Sequence, residues 1–341
     1  MGEYARSAAI ARAVSARWPG ASIHFVLSRA APYAQNPPFA HTLLPSSATF
    51  HSGAVRTLLH GWRPHVVIFD NAGRGSQLKA AQRAGARIIY ISSRRRQRAK
   101  AFRWRWMRMI DEHWIAYPRF IAGGLGFFER LKLKLLRRPT VRYLDVILTP
   151  GAAQRRAALL AQTACTAGGF LLVVPGGGTG HPGARDAIGH FYDAAQRLAA
   201  LGVPTVYVGP APADTAAGAG AAPHLHAVGA LAQADLAELM SCARVIVTNG
   251  GSTLLQAIAC GAACIAAPIA RDQTARIRRC VQAQAALASA LDGGCIAATA
   301  AALWNDEPGR AALARRAAAL GLTDGLATAV AALGRFIDPA T

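Results

Sequence analysis

Short β-branched or apolar runs recur along this chain with helix-length stretches between them, and that alternation constrains the fold most. In the first half the runs are ASIHFVLS (21–28), HVVIFD (65–70), RIIYIS (87–92) and VRYLDVILT (141–149). In the second they are FLLVV (170–174), PTVYV (204–208), VIVT (245–248) and CIAA (264–267). Helical patterns fall near 76–84, 184–201, 232–241 and 252–260. Strands that are apolar throughout belong to parallel sheets covered on both faces. Two such series in tandem over 341 residues predict an α/β protein of two Rossmann-like, doubly wound domains facing across a cleft. The expected limits are 1–150 for the first domain, 151–167 for a linker and 168–341 for the second, with closing helices over 308–336.

The chain opens Met1-Gly2-Glu3 and passes at once into the helical pattern YARSAAIARAVSARW. A doubly wound domain carries its central strand ahead of that helix, joined by a glycine-containing turn. Gly2-Glu3 reads as that turn. The expectation is therefore that the first strand is missing and that Met1 lies inside a longer reading frame.

Cysteine use and charge narrow the partners. The six cysteines (165, 242, 260, 264, 280, 295) show no CxxC pair, as expected of reduced thiols in the cytoplasm. No His/Cys/Asp cluster has metal-ligand spacing, so neither a metal nor another cofactor is expected. No apolar run approaches the length of a membrane span. The formal charge is +21, and it is lopsided. Residues 1–150 hold 25 basic and 6 acidic side chains, whereas residues 151–341 hold 13 and 11. The first domain is the one that should meet something anionic.

Two glycine turns mark the candidate chemistry. VIVT (245–248) runs into Asn249-Gly250-Gly251, after which Ser252-Thr253 open a helix. Glycines let a backbone approach a ligand, and the amides at a helix N-terminus attract an anion. FLLVV runs into Pro175-Gly176-Gly177-Gly178-Thr179-Gly180-His181, which has neither Walker nor GxGxxG spacing. Both turns follow buried strands, so both belong at the carboxyl edge of one sheet, where α/β sheets bind ligands. A diphosphate between them is the natural inference.

The segment 228–273 (VGALAQADLAELMSCARVIVTNGGSTLLQAIACGAACIAAPIARDQ) resembles the donor half of GT-B glycosyltransferases. It is similar to the MurG-type lipid-linked N-acetylglucosaminyltransferases and to the UDP-glycosyltransferases. The resemblance is specific over roughly 170–280 and architectural elsewhere. It implies a nucleotide sugar, most readily a UDP-sugar, on the second domain and an acceptor on the first. Gly250, Gly251, Ser252 and Thr253 match the family's diphosphate turn, and Gly177, Gly178 and Thr179 supply the second turn. Asp272 and Gln273 match the pair that contacts sugar hydroxyls, and Leu231 lies in the loop that edges the base. Asn249 stands where plant enzymes have histidine, and Gln256 where a ribose-binding glutamate is usual. The related families invert by direct displacement without a metal.

In the first domain the resemblance aligns the family's Gly-His turn with Gly2-Glu3, which puts Glu3 where a base is expected. Asp70, ending HVVIFD ahead of a glycine-bearing loop, is the other candidate. The structural alternatives are a helix-start carboxylate for Glu3 and a strand-end turn residue for Asp70. Arg94, Arg95 and Arg96 open a stretch (94–108) with eight bases in fifteen residues, interleaved with Phe102, Trp104, Trp106 and Met107. FFERLKLKLLRR (127–138) sets Phe127, Phe128, Leu131 and Leu135 beside Lys132 and Lys134. Basic amphipathic helices with aromatic residues suit an anionic membrane surface. The expected protein is an inverting glycosyltransferase acting on an envelope or lipid-linked acceptor, peripheral on the inner face of the cytoplasmic membrane. Nucleotide-sugar 2-epimerases and hydrolases of the same architecture are the nearest alternatives. A non-catalytic protein that binds anions or nucleic acid is the alternative of another class; for the transferase itself, nucleic acid is not an expected partner.

Overall fold

The computed structural model describes residues 2–148, 153–176, 184–210 and 223–338. The chain forms two compact units, Met1–Ile147 with Thr323–Thr341 (unit 1) and Leu148–Leu322 (unit 2). Each is α/β with parallel strands, as the alternating runs predict.

Unit 1 contains β1 (His24–Ser28), β2 (Ala40–Leu44), β3 (Val66–Asp70), β4 (Arg87–Ser92), β5 (Glu112–Ile115) and β6 (Thr140–Tyr143). They form a two-stranded ladder β1-β2 and a four-stranded sheet β3-β4-β5-β6, parallel throughout. Period-two alternation along β4 serves two cores at once. Ile88 and Tyr90 join Leu78, Trp106 and Ile110 on one face. Ile89 and Ile91 join Ile10 and Val14 of helix Gly2–Arg17 on the other. The last helix, Gly325–Ile337, packs Leu326, Ala329 and Leu333 into that second core. Unit 1 is thus completed by the chain's C-terminal helix, while the preceding helix, Glu307–Ala319, stays with unit 2.

Strand β5 is short and carries buried polar groups. Glu112 is 2% exposed and accepts from Trp114 Nε1 at 2.5 Å and from Arg142 Nε at 3.0 Å. It also pairs with Arg335 of the last helix. Next to it, His113 Nε2 lies 2.8 Å from Ser92 Oγ. Burial, and secondarily Arg98, lowers the His113 pKa from 6.5 to about 3. The ring stays neutral in the folded chain and takes up a proton when unfolded, so the unfolded state binds more protons between pH 3 and 6.5. Stability contributed this way is full above pH 6.5 and falls by about 1.4 kcal/mol per pH unit below it. Urea unfolding at pH 7 and pH 5, read by tryptophan fluorescence, should show this slope, and His113→Asn should remove it. An unchanged slope would assign the acid sensitivity to another group.

Unit 2 contains β7 (Leu171–Val174), β8 (Thr205–Val208), β9 (Leu225–Val228), β10 (Val245–Asn249), β11 (Ala263–Ala267) and β12 (Leu287–Ala288). The parallel order is β9-β8-β7-β10-β11-β12. The chain winds outward from β7 in one direction and resumes at β10 in the other, so β7/β10 is the topological switch point. Leu171, Val173, Val245, Val247 and Ile265 pack one face against helices Ala184–Ala200 and Gly293–Asn305. Part of the expected linker is helix Ala153–Gln162, tied to helix Gln233–Cys242 by Arg155–Asp235 and Arg156–Glu238 pairs.

Candidate functional site

The carboxyl ends of β7 and β10 meet through one side chain. Asn249 is buried, and its Nδ2 donates to the Pro175 carbonyl at 2.5 Å, while its Oδ1 accepts from Gly251 N at 2.6 Å. Gly176 takes φ +78 beside it, and a Cβ there would lie 2.4 Å from Asn249 Nδ2. Glycine is needed both for the dihedral and for the close approach. Gly177, Gly178, Thr179 and His181 lie outside the described residues.

The second turn is held just as firmly. Gln273 Oε1 accepts from Gly250 N at 3.1 Å and from Ile269 N at 3.0 Å, and the Gly250 carbonyl accepts from Arg276. Gln273 is buried, with this oxygen committed to two backbone amides. Its neighbour Asp272 is exposed, 3.7 Å from Arg276. The pair that the resemblance assigns jointly to sugar hydroxyls is divided, with Gln273 holding the turn and Asp272 facing solvent.

Helix Ser252–Ala259 begins on this braced turn. Its N-cap, Gly251, has no side chain to cap with, so the first helical amides keep no intrahelical acceptor. Ser252 is exposed, and Thr253 and Gln256 are half-buried on the first two turns. An anion of phosphate type would meet backbone donors and the positive end of the dipole here. Leu231, half-buried in the loop after β9, lies on the same edge but two strands from β7. Arg276 was not evident from sequence; the only signal is its place one turn after Asp272. Burial pushes the Cys260 thiol up to about 11 and the Cys280 thiol up to about 12.

A second constellation lies in unit 1, where helix Gly2–Arg17 meets the end of β3. Arg6 grips both Asp70 oxygens, Nε at 3.2 Å and Nη2 at 2.5 Å, and Ser7 Oγ donates at 2.9 Å. Asn71 Nδ2 donates to Glu3 Oε1 at 2.9 Å and to Ser93 Oγ at 2.5 Å. The two candidate carboxylates are therefore brought together, but in different states. Asp70 is neutralised by its guanidinium, whereas Glu3 is exposed with one hydrogen bond from an amide. Burial raises the Tyr90 phenol to about 12, and the charges of Asp70 and Glu3 add to it.

The basic segments divide as well. Residues 94–108 form two short helices, Arg95–Ala101 and Trp104–Met107. Phe102, Trp106, Met109 and Ile110 are buried. Trp106, expected on the surface, is corrected to a core residue: it is 6% exposed and stacks edge-on against Tyr90 beneath Lys100. Trp104, Arg94, Arg95 and Arg96 are exposed. Arg98 is structural, paired with Glu129 at 2.6 Å and donating to carbonyls of residues 122–124. That anchor mounts helix Phe127–Leu136, none of whose residues is buried. Phe127 and Phe128 are 67% and 73% exposed, with Leu131 and Leu135 beside them. Lys132 Nζ donates to the Phe102 carbonyl, and Lys134 is exposed.

No family model matches the chain, and no curated protein matches it by sequence. Solved structures do match along its whole length. The glycotransferase of kitacinnamycin superposes with a TM-score of 0.63 at 16% identity, covering 97% of this chain and 94% of that one. UGT2 of Phytolacca americana, complexed with UDP-2-fluoro-glucose and pterostilbene, gives 0.62 at 13% identity, covering 96% and 95%. The fold is GT-B. A third match, described as a putative UDP-N-acetylglucosamine 2-epimerase from Listeria monocytogenes, gives a TM-score of 0.59 at 12% identity, covering 98% and 93%.

Proposed function

We propose that this chain transfers a sugar from a nucleoside-diphosphate donor, most readily a UDP-sugar, held by unit 2 to an acceptor held by unit 1. The observation that carries this reading is the uncapped start of helix Ser252–Ala259 at the switch point, braced by Asn249 and Gln273. Backbone donors there neutralise charge developing on a leaving diphosphate, which supports a metal-independent displacement. The reaction is a single inversion: the acceptor oxygen attacks the anomeric carbon, the bond to the diphosphate breaks, and the acceptor proton passes to Glu3. Asp70, occupied by Arg6 and Ser7, positions the start of the helix that carries Glu3. Asp272 is the carboxylate open to sugar hydroxyls.

Release of nucleoside diphosphate from UDP-, TDP- and GDP-hexoses, with and without an envelope lipid extract, tests the reading. Extract-dependent release that persists in EDTA is expected for one donor. Glu3→Gln should lower it by about 100-fold or more with donor binding spared. Isomerisation of the donor sugar without acceptor would instead establish 2-epimerase chemistry for this chain. Release unaffected by Glu3→Gln would remove it as the base.

The acceptor is membrane-proximal in this reading. It rests on helix Phe127–Leu136, where four exposed apolar side chains lie among Arg130, Lys134 and Arg137. Each basic residue near an anionic surface adds about 1 kcal/mol. Co-sedimentation should be strong with vesicles containing phosphatidylglycerol and weak with phosphatidylcholine alone. Phe127→Ser with Phe128→Ser should abolish it without loss of stability, since both rings are largely exposed and their ring contact is with each other. Equal sedimentation with both vesicle types would contradict electrostatic docking. No helix among the described residues is long and apolar enough to cross a membrane.

A further inference from the structure

We propose that unit 1 has a site for a phosphate-ester group at the starts of helices Ser52–Trp62 and Gly75–Arg83, where Trp106, Lys100 and Arg74 join the helix amides. The site belongs to unit 1 alone and its test needs no sugar donor, so it stands or falls apart from the sugar-transfer reading. The two helices follow β2 and β3, and their first turns are fastened side by side. Gly73 N donates to Thr49 Oγ1 at 3.2 Å, Gln77 Nε2 donates to the Ala48 carbonyl at 2.6 Å, and Ser76 Oγ lies 3.3 Å from Ser52 Oγ. Neither N-cap side chain bonds to its helix, and neither first turn holds an acidic residue. The first return bonds are Val55 N to the His51 carbonyl and Gln77 N to the Arg74 carbonyl. The amides of residues 52–54 and 75–76 precede them and keep no intrahelical acceptor. Both starts border open space: a Cβ on Gly53 would meet nothing within 4 Å, and one on Gly75 only Trp106 Nε1, at 3.8 Å.

Trp106 points independently to a ligand. It is 6% exposed, yet among the described residues nothing accepts from its Nε1. The indoles of Trp114 and Trp18 donate to Glu112 and Asp338, as indole N–H groups taken from water ordinarily do. What lies beside Trp106 Nε1 is a helix start, which is made of donors, so the missing acceptor must come from outside the fold. Charge says what kind of acceptor. Lys100 Nζ sits 4.3 Å from the centre of the Trp106 ring and donates to the Gly73 carbonyl at 2.7 Å. Burial, and then Arg103, Arg74 and Arg96, lower the Lys100 pKa. Among the described residues no carboxylate pairs with any of these four cations. A carboxylate ligand would offer two oxygens to donors that come from two helices, an indole and a lysine. A phosphate ester offers three, with more charge to set against the cations.

The indole resonance of Trp106, assigned with Trp106→Phe, reads the site in proton–nitrogen NMR spectra of the full chain. Inorganic phosphate and glycerol 3-phosphate should shift it saturably, and chloride at the same ionic strength should not. If the group belongs to a lipid headgroup, phosphatidic acid in bicelles should bind more tightly than glycerol 3-phosphate; if it belongs to a free ester, the order should be reversed. Gly53→Asp sets a carboxylate at the first helix start, where open space and the helix dipole both accept it. It should weaken the phosphate response by about 10-fold or more with no loss of Tm. Lys100→Gln should weaken the response by about the same factor. A Trp106 resonance that ignores phosphate, that moves equally with chloride, or whose response survives both substitutions would overturn the proposal.

Discussion

Alanine at position 250 is expected to weaken nucleoside-diphosphate binding by about 30-fold or more. A Cβ on Gly250 would lie 2.7 Å from Ile277 Cγ1 and 2.8 Å from Gln273 Cβ, both on helix Arg271–Gln282. That helix must move, or the turn must. Either way the bond from Gly250 N to Gln273 Oε1 is lost, and with it the alignment of the amides that open helix Ser252–Ala259. A hydrogen bond to a charged group is worth about 2 kcal/mol, which corresponds to the stated factor. Calorimetric titration with UDP, TDP and GDP measures it. The tryptophan signal should be unchanged, since five of the six tryptophans belong to unit 1. Unweakened binding would place the diphosphate elsewhere.

The second large effect is on stability. Gly325 opens the last helix, and a Cβ there would lie 1.6 Å from the Leu144 carbonyl oxygen and 3.2 Å from Ile147 Cδ1. A backbone oxygen in a buried segment has no rotamer to escape into. Gly325→Ala should therefore lift the helix and disturb Leu326, Ala329 and Leu333, which complete the second core of unit 1. The Arg335–Glu112 pair and the Trp18–Asp338 hydrogen bond should loosen with it. Overpacking of this kind costs about 3 kcal/mol, or about 6–12 °C in Tm for a unit of this size. A thermal melt followed by tryptophan fluorescence reads the change. A shift of less than about 1 °C would mean that the last helix contributes little to unit 1.

Much of the architecture is legible in the sequence because parallel strands announce themselves as apolar runs. RIIYIS and VIVT emerge as β4 and β10, and the glycine turn after VIVT emerges at the switch point. Strand β5 is not legible, since EHWI places a carboxylate and an imidazole in its interior. They are tolerated because Arg142 and Arg335 approach Glu112, the second from 223 residues away, and no local pattern reports that. The split of the Asp272-Gln273 pair is equally hidden, because only the folded turn shows Gln273 Oε1 taken by Gly250 and Ile269. The aromatic stripes look alike as sequence. Trp106 enters the core because two short helices carry it under Lys100 against Tyr90, while Phe127 and Phe128 stay outside on a helix held by Arg98. Of the +21 charge, part is therefore structural: Arg6, Arg98 and Arg142 each serve a carboxylate within unit 1.

Sugar transfer as proposed requires unit 2 to hold a nucleoside diphosphate on the turn at the end of β10. Hydrogen exchange of the 341-residue chain with and without UDP reads this at the turn itself. Slower exchange confined to the amides of residues 250–254 and the adjoining end of β7 is the predicted result. Saturable UDP binding that protects unit 1 instead, or no protection at a concentration that saturates other GT-B proteins, would place the diphosphate off this turn.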